Sequence, residues 1–575
     1  MKYTANLWSQ KYDGIQFFVQ RLEEMLFHYS DDIVRAPVHN TQTLIVEFIE
    51  TEKAIQDGKV KPYMLPPVLS ELQSSIEHDK ILRKHFGDEF VDTMVKGVSK
   101  EKGPIVHYLN HKMPYKEYYA WCKEYITEHI MQASHKDELE FAARVWIASL
   151  IWYGYSPEYA YSFLKATFSP PCQAPEASIN SFLDHFSFEE REYNVYFSFS
   201  PLLSDYKDLL STRLKVKFED DGLFKKARER RSDFVGYLTL KSLDSYTAIK
   251  RAYKRLEIFI KFYRAISNRR KEVVREYGLV RNVEDDSAVK ILAKPKGYRV
   301  IEIEPTTNIE EDVDSLILGC QQKSTNTYEI IHRIIDLHNS AIGQSNLDDG
   351  FVNLWSILEI VSDETPGESK IEKVTKGVVP ILKKAYMLSI LSNIMCDLKD
   401  NLEEAEFEAL TNSITTTENV LCKIGYFIFL PEYEQLREDY FVKLGSFPVI
   451  RHKIFKLYQI KETKKEIKNL MDRYAQRIEW HIYRLYRTRN SIVHAGKSHK
   501  RIQVLGEHLH IYVDRVMTEI ITKISDEHTI KTVRDVLIDA DLLAKQTERS
   551  FDADGEITSN DIDSFMSNYY YKTTK

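Results

Sequence analysis

Apolar residues recur at three- and four-residue intervals over most of this chain, and that spacing predicts helices. The clearest stripe is Ile467, Met471, Tyr474, Ile478, Ile482 and Leu485. It predicts one long amphipathic helix approaching Gly496, with Arg473, Arg477, Arg484 and Arg487 off the stripe. A second stripe, Leu505, Leu509, Tyr512, Val516 and Ile520, predicts a helix over about 504–524. Near the N-terminus Ile45, Phe48 and Ile55 show a broken version of the same period. The run Phe141 to Tyr155 predicts a helix that stops near Gly154, and Ser156-Pro157-Glu158 opens the next as N-cap, first helical residue and first-turn acid. The proline-rich run Ser169 to Pro175 cannot continue a helix, so a linker or domain edge is expected near 169–185.

From about residue 190 the pattern changes to alternation. Tyr193 to Phe199, Leu214 to Phe218, Phe234 to Leu240 and Tyr298 to Ile303 predict strands, with a long helix from Ser245 to about Tyr277 between the last two. Strands flanking a helix suggest a small α+β domain at 186–310. The expected class is therefore mainly α and multidomain. It comprises a helical N-terminal region (1–185, sensing or regulatory), the α+β domain, a helical bundle at 311–525 interrupted at Glu364-Thr365-Pro366-Gly367, and an acidic polar tail at 526–575.

Length supports several units, since 575 residues exceed one core. With 79 basic and 86 acidic residues the net charge is −7, which excludes a globally basic nucleic-acid binder and confines any RNA contact to local patches. One such patch is the 245–277 helix, with Lys254, Arg255, Lys261 and Arg264 among many cations that extend to Arg275, and Phe224 to Arg231 (FKKARERR) just before it. Interleaved Tyr253, Phe259, Phe262 and Tyr263 could stack on bases; at helical spacing they equally make a core face whose opposite side is merely wet. The five cysteines are widely spaced and form no CxxC pair, so neither a disulfide framework nor a cysteine zinc site is expected. A first segment without an apolar signal core, and no apolar run of roughly 18 residues, lead us to expect a cytoplasmic protein with no membrane partner.

Other chemistries are thinly supported. His107 and His111 lack the acid of a zinc-protease motif, and His508 and His510, two apart, cannot share a helical face. No phosphate loop, dinucleotide turn or nucleophile elbow is present. Ser550 to Asp561 resembles an EF-hand loop, with Asp552, Asp554, Gly555 and Ile557 in place. Serine stands first and Asp561 twelfth, however, so an Asp-Gly turn is the plainer account.

The stretch that carries chemistry runs from Trp480 to Lys497. An arginine that cannot deprotonate and a histidine that titrates near neutrality, Arg489 and His494, stand five residues apart with Asn490 beside them, the groups needed to hold a phosphate and move a proton. Arg-Asn-x-x-x-His-x-Gly after a long amphipathic helix resembles the signature of HEPN domains, above all their Apea-like branch. Phe351 to Asp363, with Glu359 at the acidic position, and Ser369 to Leu382 fit the same layout, so the resemblance covers roughly 312–525.

It implies a metal-independent endoribonuclease without cofactor, acting as a homodimer that joins two signatures. His494 would be general acid or base, Arg489 the phosphate clamp, Asn490 and Glu359 its orienting groups, and Arg484, Arg487 and Lys497 further RNA contacts. It also implies an anti-phage or abortive-infection toxin acting on RNA such as tRNA, under a phage-derived trigger or an inhibitory partner. The competing class is a non-catalytic helical RNA-binding or scaffold protein that keeps the HEPN fold.

Overall fold

The long stripe does make one helix. In the computed structural model it runs unbroken over Lys464–Ala495, burying Ile467, Met471, Tyr474, Ile478, Ile482 and Leu485. The structure describes residues 1–5, 8–27, 38–170, 172–218, 223–267, 273–285, 289–293, 297–298, 324–344, 346–526, 530–552 and 555–567. Among these the chain is mainly helical, with one four-stranded antiparallel sheet. Contacts group it into two units, 1–148 with 168–176 and 298–575, and 149–167 with 177–297.

In the first unit the signature helix Lys464–Ala495 lies among Leu347–Val361, Lys370–Asn401 and Ile502–Asp526. Their facing stripes fill the core: Leu354, Trp355 and Leu358; Val378, Leu382 and Leu391; Leu505, Leu509, Val516 and Ile520, each under 1% exposed. Ser369 caps Lys370–Asn401 by accepting from the Glu372 amide, and the Glu372 carboxylate accepts in turn from the Glu368 amide. That helix alone among the described ones is long and apolar enough to cross a membrane. Yet 61% of its apolar window is buried within the chain, and its Lys383 and Lys384 are ion-paired to Asp472 and Glu519. Tyr298 wedges between Leu347–Val361 and Ile502–Asp526, donating to the Leu347 carbonyl. A Cβ on Gly506 would collide with its ring. The expected strand Tyr298 to Ile303 thus begins on a residue packed among helices, and 299–303 lie outside the described residues.

The N-terminal region, read from sequence as one domain over 1–185, is divided: 1–148 and 168–176 belong to this same unit, and 149–167 and 177–185 to the second. Helix Asp13–Leu26 is buried on every side from Gly14 onward, Arg21, Glu23 and Glu24 included. Such charges are tolerated inside only when paired. Arg21 is bound to Glu24 and Glu140, and Lys453 reaches both Glu24 and, at 2.7 Å, Asp397. The described part of the expected polar tail is likewise docked. Helix Val533–Ser550 starts on a Thr532–Asp535 capping box and buries Val536, Leu537 and Ala540 against Lys370–Asn401. Two acids of the EF-hand-like stretch pair with lysines of the signature helix, Asp561 at 2.7 Å from Lys464 and Asp552 with Lys468, while Asp554 lies outside the described residues. Phe551, Ile557 and Ile562 are buried, so that segment is an anchored clasp.

The second unit carries the sheet and starts earlier than the expected 186, at 149. Strands β1 (Arg191–Phe199), β2 (Phe234–Ser242), β3 (Val274–Asn282) and β4 (Val289–Ala293) pair antiparallel in the order β2-β1-β3-β4. Alternation on β1 sends Val195, Phe197 and Phe199 to one face, against Ala248, Ile249, Ala252, Leu256 and Ile260 of helix Ser245–Ser267. Tyr196 goes to the other face, with Tyr237 and Leu279. The helix is shorter than its sequence suggests, because Val274 and the residues after it pair with β1 as a strand. Arg275, counted among its cations, is instead buried in β3 on Asp233 at 2.7 and 2.8 Å. Leu214 to Phe218 makes only a single bridge, Lys217 to Tyr237, because helix Lys207–Leu214 takes its first residue and Lys215 turns with φ 63°. The 169–185 linker narrows as well, since helix Pro175–His185 begins at its last proline.

Candidate active site on the signature helix

Five residues on an unbroken helix place Arg489 and His494 about 140° apart around the axis and roughly 7.5 Å along it. The helix runs past Asn490 to Ala495. Asn490 and His494, four apart, therefore share a face, and Arg489 turns away from it. Gly496 ends the helix at φ 59°, where a side chain would be strained; its amide donates to the Ile492 carbonyl and that of Lys497 to Ser491.

Arg489 points toward Leu347–Val361. Its Nη2 lies 3.5 Å from Glu359 Oε2, its Nη1 donates to Asn490 Oδ1 at 3.2 Å, and its Nε is buried without a hydrogen-bond partner. Glu359 is held from the other side, its Oε1 accepting from Trp355 Nε1 at 2.9 Å. Trp355 is fully buried and packs against Tyr486, 5.5 Å between ring centres. The Arg489 side chain is 19% exposed and that of Glu359 16%, so the pair sits at a rim of the helix bundle. His494 stands on the last turn and is exposed, as is Lys497 after the cap.

Within the turn and a half before Arg489 the same helix behaves differently. Arg484 and Arg487, expected as RNA contacts, are turned inward. Arg484 lies 2.9 Å from Glu47 on helix Thr41–Gln56 and also grips Glu71 on Leu65–Glu77, while Arg487 binds Glu47 and the Met64 carbonyl. Arg484 is only 4% exposed. Arg484 gives Nε and Nη2 to two carboxylates and Arg487 gives Nη2 to one and Nη1 to a backbone carbonyl, so both forks are turned into the fold and away from a phosphate. Burial alone would push the Glu47 carboxyl up, but Arg484, His39 and Arg487 hold it well below the usual range. His39, within 3.1 Å of Glu47, is itself pressed well below its ordinary value by burial.

Compared with family models, with curated proteins and with solved structures, the chain matches none.

The structure thus brings Glu359, Arg489 and Asn490 together, leaves His494 open on the next turn, and removes Arg484 and Arg487 from the site. Lys254, Arg255, Lys261 and Arg264 belong to the other unit, where all four are exposed and Lys261 has Glu257 at 3.3 Å. The acid that organises the inward arginines, Glu47, was missed in the sequence although a signal exists. It shares the face of Leu44, Phe48 and Thr51, all buried, and an acid on an apolar stripe calls for a partner. Trp355, four residues before Glu359 on the same helix, was equally within reach of spacing.

Proposed function

We propose that the chain is a metal-independent endoribonuclease of the HEPN type, with Arg489 and His494 as its working pair. The observation that carries this is the state of Arg489: a guanidinium at a rim, steered by Glu359 and Asn490 yet with Nε unpaired, one and a half turns from an exposed histidine. Arg484, by contrast, spends Nε and Nη2 on two buried carboxylates.

The reaction is attack of an RNA 2′-hydroxyl on the adjacent phosphorus. The O2′–P bond forms, the P–O5′ bond breaks, and a proton passes from the 2′-oxygen to the departing 5′-oxygen, leaving a 2′,3′-cyclic phosphate. His494 takes or returns that proton, and Arg489 holds the phosphate as its charge grows. Two chains pairing their signatures would supply two histidines, one for each transfer. The need for a 2′-hydroxyl selects RNA over DNA. A growth-arresting role in anti-phage defence, with the remainder of the chain answering a trigger or holding the nuclease off, rests on the family resemblance alone. The non-catalytic alternative, RNA binding or scaffolding, draws on the exposed cations of the second unit.

The test is cleavage of total RNA, tRNA included, by the parent, His494→Ala and Arg489→Lys proteins in excess EDTA. The expected result is cutting by the parent alone, with cyclic-phosphate ends. Arg489→Lys keeps the charge and loses the fork, so parent-like cutting by it would overturn the assignment. If the parent does not cut, growth arrest on expression that depends on His494 separates a silent nuclease from a binding module.

A further inference from the structure

Far from the signature in sequence, two helices of the first unit aim three metal-binding side chains at one point. His338 comes from Thr325–Gly343; His510 and Asp514, four apart, come from Ile502–Asp526. One donor atom from each lies within 4.8 Å of the other two. His338 Nε2 is 2.8 Å from Asp514 Oδ1, His510 Nδ1 is 3.0 Å from Oδ2, and the imidazoles stack with centres 5.1 Å apart.

We propose that His338, His510 and Asp514 form a site for one divalent first-row metal ion, zinc being the ion its donors fit best. Two imidazoles and a carboxylate with an open fourth position are a common zinc donor set. With metal–ligand bonds of about 2.0–2.2 Å, neighbouring donors in a tetrahedral shell stand about 3.4 Å apart. The two N–O separations, 2.8 and 3.0 Å, need to open by only about half an ångström to reach it. A hydrogen-bonded His-Asp-His cluster explains the same distances without an ion, and the titration below decides between them. His510 is 4% exposed, so its ring is held in place beside Asp514. Asp514, 43% exposed, opens the cluster to solvent and gives an ion its way in. Binding requires each imidazole to offer the lone pair of the nitrogen now facing Asp514, its proton resting on the other ring nitrogen. The ion would cross-link the two helices and play no part in cleavage at Arg489 and His494.

The experiment uses full-length protein, freed of any tag and stripped with chelator, titrated with zinc by calorimetry and with cobalt(II) by absorption. One equivalent of zinc per chain is expected, raising the thermal midpoint by roughly 2–4 °C. Asp514→Asn and His338→Gln, both at partly exposed positions, should each weaken binding by at least about tenfold. The His494→Ala protein should bind like the parent, which separates this site from the nuclease reading. Uptake below one equivalent, or variants that bind as the parent does, would overturn the proposal. Should the variants fail to fold, the X-ray absorption spectrum of zinc-loaded parent decides: two imidazole ligands support the site, and none overturns it.

Discussion

Two arginine neighbourhoods on one helix, barely a turn apart, have opposite chemistry. At Arg484 and Arg487 the guanidiniums are inside, clamped by Glu47 and Glu71 from two N-terminal helices. At Arg489 the guanidinium stands at a rim with one carboxylate at 3.5 Å and an unpaired Nε, and His494 beyond it is exposed. The first arrangement welds chain segments more than 400 residues apart. The second leaves binding capacity unspent. Residue type is the same in both; what differs is how much of the fork is already occupied, and that decides which arginine can take a phosphate.

The comparison breaks most sharply through His494. His494→Ala should lower RNA cleavage by about 10²–10⁴-fold, the usual worth of a placed acid or base, with an unchanged thermal midpoint because the side chain is exposed. A midpoint that fell along with activity would make His494 structural and dissolve the contrast. Next comes Arg484→Ala. Removing one partner of a buried ion pair strands the other, so about 3–5 kcal/mol of stability should be lost in denaturant titration. Arg489→Ala, by contrast, should cost no more than about 1 kcal/mol, since its pair is partly hydrated and loose. Equal losses at the two positions would mean that Arg489 is another weld.

Acid sharpens the same contrast, because histidines surround the weld. Burial depresses His39 and His481 well below their ordinary values, and burial together with Arg501 brings His499 to about 3. A histidine lowered in the folded state is neutral there while the unfolded chain takes up its proton. Its stabilising contribution is therefore whole above about pH 6.5 and drains as pH falls toward the folded value, at up to about 1.4 kcal/mol per pH unit for each group. Glu47, lowered by its arginines once its burial is overcome, adds a second loss in the same direction below about pH 4.3. Unfolding midpoints should thus fall steeply between pH 6.5 and 5, and His39→Gln should flatten that slope. A flat profile in the parent would remove the histidines from the account.

Much of the layout was legible because helical periodicity is local. The stripe from Ile467 to Leu485, the stop at Gly496, the Ser156-Pro157 start and the alternation of β1 needed no partner to be read. The Arg489–Glu359 pairing was expected through the family resemblance, and the two side chains do meet. Most of what failed was set by distant partners. Arg484 and Arg487 looked solvent-facing since they lie off the apolar stripe, but a second apolar-and-acidic surface, Leu44, Glu47 and Phe48, covers that side. The tail was read only as acidic and polar, yet Asp552 and Asp561 found Lys468 and Lys464, and Phe551 and Ile562 found a core. His510 was set aside because His508 could not join it, while its real neighbour, His338, lies on another helix and no spacing rule reaches it.

The smallest expected effect concerns the second unit's helix Ser245–Ser267. Lys254, Arg255, Lys261 and Arg264 are exposed on it, beside Ile258, Phe262 and Ile266, which are 56%, 66% and 84% exposed. If these cations only keep the helix wet, neutralising them changes nothing measurable. If RNA lies across them, each lost phosphate contact lowers the slope of log affinity against log salt by roughly 0.7 for a single strand. The quadruple glutamine variant should then bind RNA several-fold more weakly in low salt and converge with the parent in high salt. Its cleavage chemistry should be unaltered once RNA is saturating, since Arg489 and His494 are untouched. A slope identical to the parent's would return these residues to the role of a solvated face and leave the signature helix to hold its substrate alone.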